Sequence, residues 1–81
     1  MPVVLRVGGF AFSFFKGDHE PPHVHARHSG RRCKIVLATL EVRKSEMNRS
    51  EEASAVRIVA EHREALATAW AAIQPQKSEG R

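Results

Sequence analysis

The stretch VVLRVGGFAFSFF, residues 3–15, decides the fold. Two runs rich in β-branched and aromatic residues, 3–7 and 10–15, flank the dipeptide Gly8-Gly9. Such residues favour strands, and a two-glycine link between them favours a tight hairpin turn. Folding the chain there sets Val7 opposite Phe10, Leu5 opposite Phe12 and Val3 opposite Phe14. Side chains alternate along a strand, so these six apolar residues share one face. Val4, Arg6, Ala11 and Ser13 fall on the other. A face of six apolar side chains must be covered by something else in the chain.

The next segment, KGDHEPP (16–22), reads as a loop. Pro21 and Pro22 cannot donate to a strand ladder, and they stiffen the chain just before His23. Residues 23–28 and 31–37 then read as a second hairpin, turning at Ser29-Gly30. Its register places Val24 opposite Ile35 and Ala26 opposite Cys33, a second apolar face. The reverse face sets His25 against Lys34 and Arg27 against Arg32, with His23 beside Val36. Like charges directly opposite each other cost stability, so such a face either carries that cost or offers its charge to an anion.

Residues 38–49 form a connector of mixed charge, and 50–73 read as one helix. Ser50 suits the N-cap, Glu51 and Glu52 suit the positive end of the helix dipole, and Pro75 stops the run. Val56, Val59, Ala60, Leu66, Ala67 and Trp70 share one stripe, with Ile73 at its edge. Arg63 falls in the middle of that stripe, either as a snorkelling side chain or as a group reaching past the sheet edge toward the histidines. Trp70 reads as core. The expected architecture is α+β, in the order β-β-β-β-α. A small antiparallel sheet of about four strands has one long C-terminal helix packed on its apolar face. The chain of 81 residues has room for a single domain, 1–74, followed by a flexible tail, 75–81.

Charge is distributed unevenly. Residues 1–40 carry Arg6, Lys16, Arg27, Arg31, Arg32 and Lys34 against Asp18 and Glu20, so the whole net charge of +4 resides there. The remaining residues balance. That asymmetry favours a polyanionic partner, whether nucleic acid or an acidic protein. The single cysteine, Cys33, excludes an internal disulfide and points to a reducing cytoplasm. The start MPVVLRVGGF does not read as a signal peptide, and no apolar run approaches the ~18 residues of a membrane span.

The stretch HEPPHVHARH, residues 19–28, holds four of the five histidines. His23 and His25 project from one strand face, and with His19 from the loop they could ligate zinc or a similar metal. The surrounding cations oppose a dication, and no cysteine pair or strand carboxylate completes the set. The expectation is therefore no cofactor and no metal. Histidine-triad nucleotide hydrolases also use alternate strand positions, but Arg27 stands at the third place and His28 is out of phase. Metal-independent phosphodiester cleavage is compatible with the residues. His23 and His25 would act as acid and base, and Arg27, Arg32 and Lys34 would hold phosphate. Arg63 is the further candidate for binding phosphate or an acidic partner. The plain alternative is a strand whose histidines are polar surface residues.

The elements PVVLRVGGFAFSFF (2–15), HEPPHVHA (19–26) and HREALATAW (62–70), in this order, resemble a small bacterial family, domain-of-unknown-function family 4160. Its members look like MP-x-[IV]-x-R-x-GG-aromatic at the start, carry a PPHVHV-type motif, and end in an R-E-x-L-x-x-x-W helix. The motif histidines map onto His23 and His25, after Pro21 and Pro22. Ala26 stands where valine is common, and His28 is additional to the pattern. The resemblance implies a cytoplasmic toxin of a type II toxin–antitoxin pair, held inactive by an antitoxin protein encoded nearby. Toxins of such pairs often act on RNA or translation, and if this one is an enzyme the residues suit a metal-independent ribonuclease. The alternatives are a non-catalytic nucleic-acid- or protein-binding module and a small metal-binding protein. The helix could also pack partly on a second copy of the chain.

Overall fold

The structure, a computed structural model, describes residues 3–14 and 21–73. The first hairpin forms where two glycines permit it. Strand β1 (Val3–Val7) turns through Gly8 and Gly9, at φ +55° and +84°, into β2 (Phe10–Ser13). Two successive positive φ values match the right-handed twist of the flanking strands, which is why glycine suits both places. Val7 pairs with Phe10 and Leu5 with Phe12, as the alternation requires. Val3, however, pairs with Ser13 and not with Phe14, because the register shifts between Val3 and Leu5. The extra residue of this bulge is Val4. Val4 packs against the core beside Leu5 and Val7, so it leaves the polar face expected for it.

The second hairpin follows its expected register in full. Strand β3 (His23–His28) turns at Ser29 and Gly30, φ +53° and +80°, into β4 (Arg31–Val36). Val24 pairs with Ile35, Ala26 with Cys33, His25 with Lys34, Arg27 with Arg32 and His23 with Val36. The chain then turns tightly, with the Leu40 N–H donating to the Val36 carbonyl at 2.7 Å, and returns as a two-residue strand, β5 (Val42–Arg43). Among the described residues the sheet therefore has five strands, where about four were expected, in the order β1-β2-β3-β4-β5 with every pair antiparallel. The fifth is too short to show a period-two pattern, and its charged neighbours make it look like linker.

The helical region also departs from its expectation. Helix α1 (Arg49–Glu61) starts one residue before Ser50, and its N-cap is Asn48. Asn48 Oδ1 accepts from the Glu51 N–H at 2.8 Å, and Glu51 Oε1 accepts from the Asn48 N–H at 3.0 Å. This reciprocal box satisfies two otherwise orphaned donors. At His62 the helix breaks (φ −116°, ψ 23°), and α2 (Arg63–Ile73) begins. The His62 ring Nδ1–H donates to the Ile58 carbonyl at 2.9 Å. That carbonyl also accepts the His62 backbone N–H at 3.1 Å, so ring and backbone share it.

The break rotates the buried stripe. Ala55, Ile58, Val59, Leu66 and Trp70 are buried, while Ala60 and Ala67 are exposed and Val56 only half-buried. These residues close over Phe10, Phe12, Phe14, Val24, Ala26, Cys33 and Ile35, with Leu37 and Met47 completing the core. Fully burying a phenylalanine contributes about 1.5–3 kcal/mol, against about 0.2–1 kcal/mol for a cross-strand pair. The core face therefore sets the register, and the opposite face can carry unfavourable neighbours. The loop over 16–20 and the tail 75–81 lie outside the described residues.

Candidate nucleic-acid interface

The register that buries Val24, Ala26, Cys33 and Ile35 places His25, Arg27, Arg32 and Lys34 on the opposite face of the sheet. Across the strands, Arg6 pairs with Ala11, Ala11 with Arg27 and Arg27 with Arg32. One step along, Ser13 pairs with His25, His25 with Lys34 and Lys34 with Arg43. Two neighbouring rows thus hold five Arg and Lys residues and one imidazole, with neighbouring strands about 4.8 Å apart. Arg43 is partly offset by Glu41, whose Oε1 accepts from its Nη2 at 3.0 Å. Arg6, Arg27 and Arg32 are exposed, and His25 and Lys34 are half-buried.

His25, Arg32 and Lys34 line an open cleft of about 280 Å³ together with Cys33, Lys44 and Glu46. Sequence reasoning misses Lys44 and Glu46, since the connector carries no pattern that places it beside β4. Glu46 is held by two contacts to Arg32. Its Oε1 accepts from the Arg32 N–H at 3.1 Å, and its own N–H donates to the Arg32 carbonyl at 2.8 Å. These bonds continue the β4 edge past the end of β5. Lys44 takes a left-handed backbone, φ +49°, which is uncommon outside glycine, asparagine and aspartate.

His23 has a different environment, although it shares a strand with His25. Its Nδ1–H donates to the Pro21 carbonyl at 3.0 Å, its Nε2 is buried, and its ring lies 5.1 Å from that of His25. On another side the Trp70 ring lies 5.5 Å away. Trp70 is 6% exposed and is core, as expected, yet it also meets Phe14 edge-on at 5.5 Å. The two motif histidines are thus brought together, with His25 lining the cleft and His23 wedged behind it.

The structure separates two other residues from this site. His28, of opposite parity, stacks on Phe10 with ring centroids 4.2 Å apart, and its Nδ1–H donates to the Gly9 carbonyl at 3.1 Å. Its Nε2 lies 3.9 Å from the Glu51 carboxylate, which Arg31 also grips with two donors. His28 therefore ties the hairpins to α1. Arg63 does not reach the histidines. Its Nε donates to the Leu37 carbonyl at 2.8 Å and its Nη2 to that of Ala38 at 2.7 Å. Of the three histidines weighed as an alternative metal set, His19 lies outside the described residues. Among the described residues no group of three or more His, Cys, Asp or Glu is placed to hold a metal ion.

Cys33 stands between core and cleft. Burial, and secondarily the nearby Glu52 charge, push its thiol up to about 11. It sits 3.8 Å from the Met47 sulfur and behaves as an apolar core group.

The fold and site define an α+β protein whose five-stranded antiparallel meander presents a basic, histidine-bearing face. A family model described as a domain of unknown function, DUF4160, matches residues 9–71, and the chain belongs to that family. No curated protein matches the chain, and no solved structure does. No helix among the described residues is long and apolar enough to cross a membrane.

Proposed function

We propose that the chain is the toxin-like component of a bacterial type II toxin–antitoxin pair and that it engages RNA through the outer face of its sheet. The observation that carries this reading is the pair of cationic rows, in which Arg27 faces Arg32 and Lys34 faces Arg43. Adjacent like charges are unfavourable in the free protein. A phosphate backbone laid across them reverses that cost and releases its own counterions. The resemblance of the family to toxins of such pairs supports the assignment, and the antitoxin is its protein partner. The cytoplasm is the compartment that this role and the lone thiol favour.

In a cleavage reaction His25 is the group that meets the substrate. It lines the cleft, an imidazole moves protons near neutral pH, and Arg32, Lys34 and Lys44 border the same space to offset charge on the phosphate. His23 acts through His25, as a positioning residue held by Pro21 and Trp70. A reaction that used both imidazoles on the substrate would require the buried Nε2 of His23 to come to the surface. That burial favours a second reading, a binding module that grips RNA without turning it over.

One experiment separates the two. The purified protein is incubated with total bacterial RNA, with and without a chelator, beside a folded His25→Ala variant. Cleavage that survives the chelator and disappears in the variant establishes a metal-independent ribonuclease centred on His25. RNA that binds in low salt but stays intact in every lane establishes the binding module. Failure to bind RNA at low salt rejects both.

A further inference from the structure

A second concavity, of about 270 Å³, shares no residue with the histidine cleft. Pro22, Leu37, Ala38 and Ala67 form apolar walls, and Arg63 is the charged residue that lines it. The two bonds from Arg63 to the Leu37 and Ala38 carbonyls fix the guanidinium beside these walls. Carbonyls are neutral, so the bonds orient the charge without cancelling it. No carboxylate of the described residues pairs with Arg63. Guanidinium donors left over from such anchoring suit a carboxylate in a planar, two-bond contact.

We propose that this pocket docks an acidic segment of a protein partner, which inserts a leucine-sized side chain between Pro22, Leu37 and Ala67 and sets a carboxylate on Arg63. The volume suits one large side chain and falls short of the usual space for a small-molecule ligand. The charge also fits, because the Arg63 guanidinium is the charged group of the lining and no carboxylate lines the pocket with it. The pocket bears directly on His23. The Leu37 N–H donates to the Pro22 carbonyl at 3.0 Å, Pro22 precedes His23 in the chain, and Trp70, one helical turn beyond Ala67, lies against the His23 ring. A segment seated there therefore presses on both supports of His23 without covering the basic face. Docking itself stands apart from the RNA reading. Only its effect on the histidines rests on that reading.

The test uses the full chain labelled with ¹⁵N and a blocked hexapeptide, acetyl-Glu-Glu-Leu-Leu-Glu-Glu-amide. A control peptide carries serines in place of the leucines, because an acidic chain will also touch the sheet face. The leucine peptide is expected to shift the amide signals of Leu37, Ala38, Arg63 and Ala67, and the serine peptide to leave them in place. Ala67 is exposed, so Ala67→Leu fills the pocket without entering the core. It is expected to weaken the leucine peptide at least tenfold while leaving RNA binding unchanged. Shifts confined to the sheet face, equal shifts from the two peptides, or undiminished binding to folded Ala67→Leu would each overturn the proposal. None of these outcomes depends on whether RNA is cleaved.

Discussion

His23 and His25 are the same side chain two residues apart, and their neighbours give them different work. His25 lines the cleft, half-buried and edge-on to the His23 ring, so His25→Ala should cost about 1 kcal/mol, as read by urea unfolding. Trp70, which supports His23 from behind, is core, and Trp70→Ala should cost about 3–5 kcal/mol. A role for His25 as structural mortar would show as a comparable loss in both variants. Cys33 gives a second test at this scale. Its thiol, raised to about 11 by burial and by Glu52, is protonated at neutral pH and closed to solvent. A thiol reagent at pH 7 should therefore modify it only as fast as the protein unfolds, and the two rates should rise together with denaturant. Rapid modification in water would mean that the β4 face is open.

Among the elements, the hairpins were legible because each satisfies several demands at once. Gly8-Gly9 and Ser29-Gly30 sit where the turns need positive φ, and the alternation on either side agrees with them. Gly30→Ala meets no neighbour but must adopt φ +80°, so it should cost about 1–2 kcal/mol in thermal or denaturant unfolding. The histidine-bearing row of β3 came from the same alternation. What the sequence left hidden was set by contacts of single residues. The bulge at Val4 and the break at His62 are each a single-residue departure from the repeat, which hydrophobic period does not register. Strand β5 is too short to have a period, so Lys44 and Glu46 could not be assigned to the cleft.

Glu51 joins three elements. It closes the cap of α1, accepts two donors from Arg31 in β4, and faces His28 in β3. The Arg31 hydrogen bonds, then that of the Asn48 backbone, hold its carboxyl below the usual glutamate range. A carboxylate depressed in the folded state stabilises the fold above its unfolded pKa, and this contribution is lost as pH falls through the depressed value. Melting temperatures should drop on acidification below the ordinary glutamate range, and Glu51→Gln should flatten that part of the curve. An unchanged pH profile in the variant would assign the acid sensitivity elsewhere.

At the scale of the whole molecule, one side of the sheet closes the core and the other concentrates charge. Binding to RNA should therefore weaken steeply with salt, and Arg27→Ala should lower the slope of log K against log salt by about one. A slope near zero in the parent protein would mean that the basic face does not hold phosphate. Trp70 links the two sides. Trp70 is the only tryptophan in the chain, and its indole touches Phe14 in the core and His23 behind the cleft. The protein thus carries its own optical reporter. Its emission should shift to the red when the core opens, and change in intensity without that shift when a ligand moves the imidazole beside it. One cuvette then distinguishes unfolding from occupancy, with no dye or label attached.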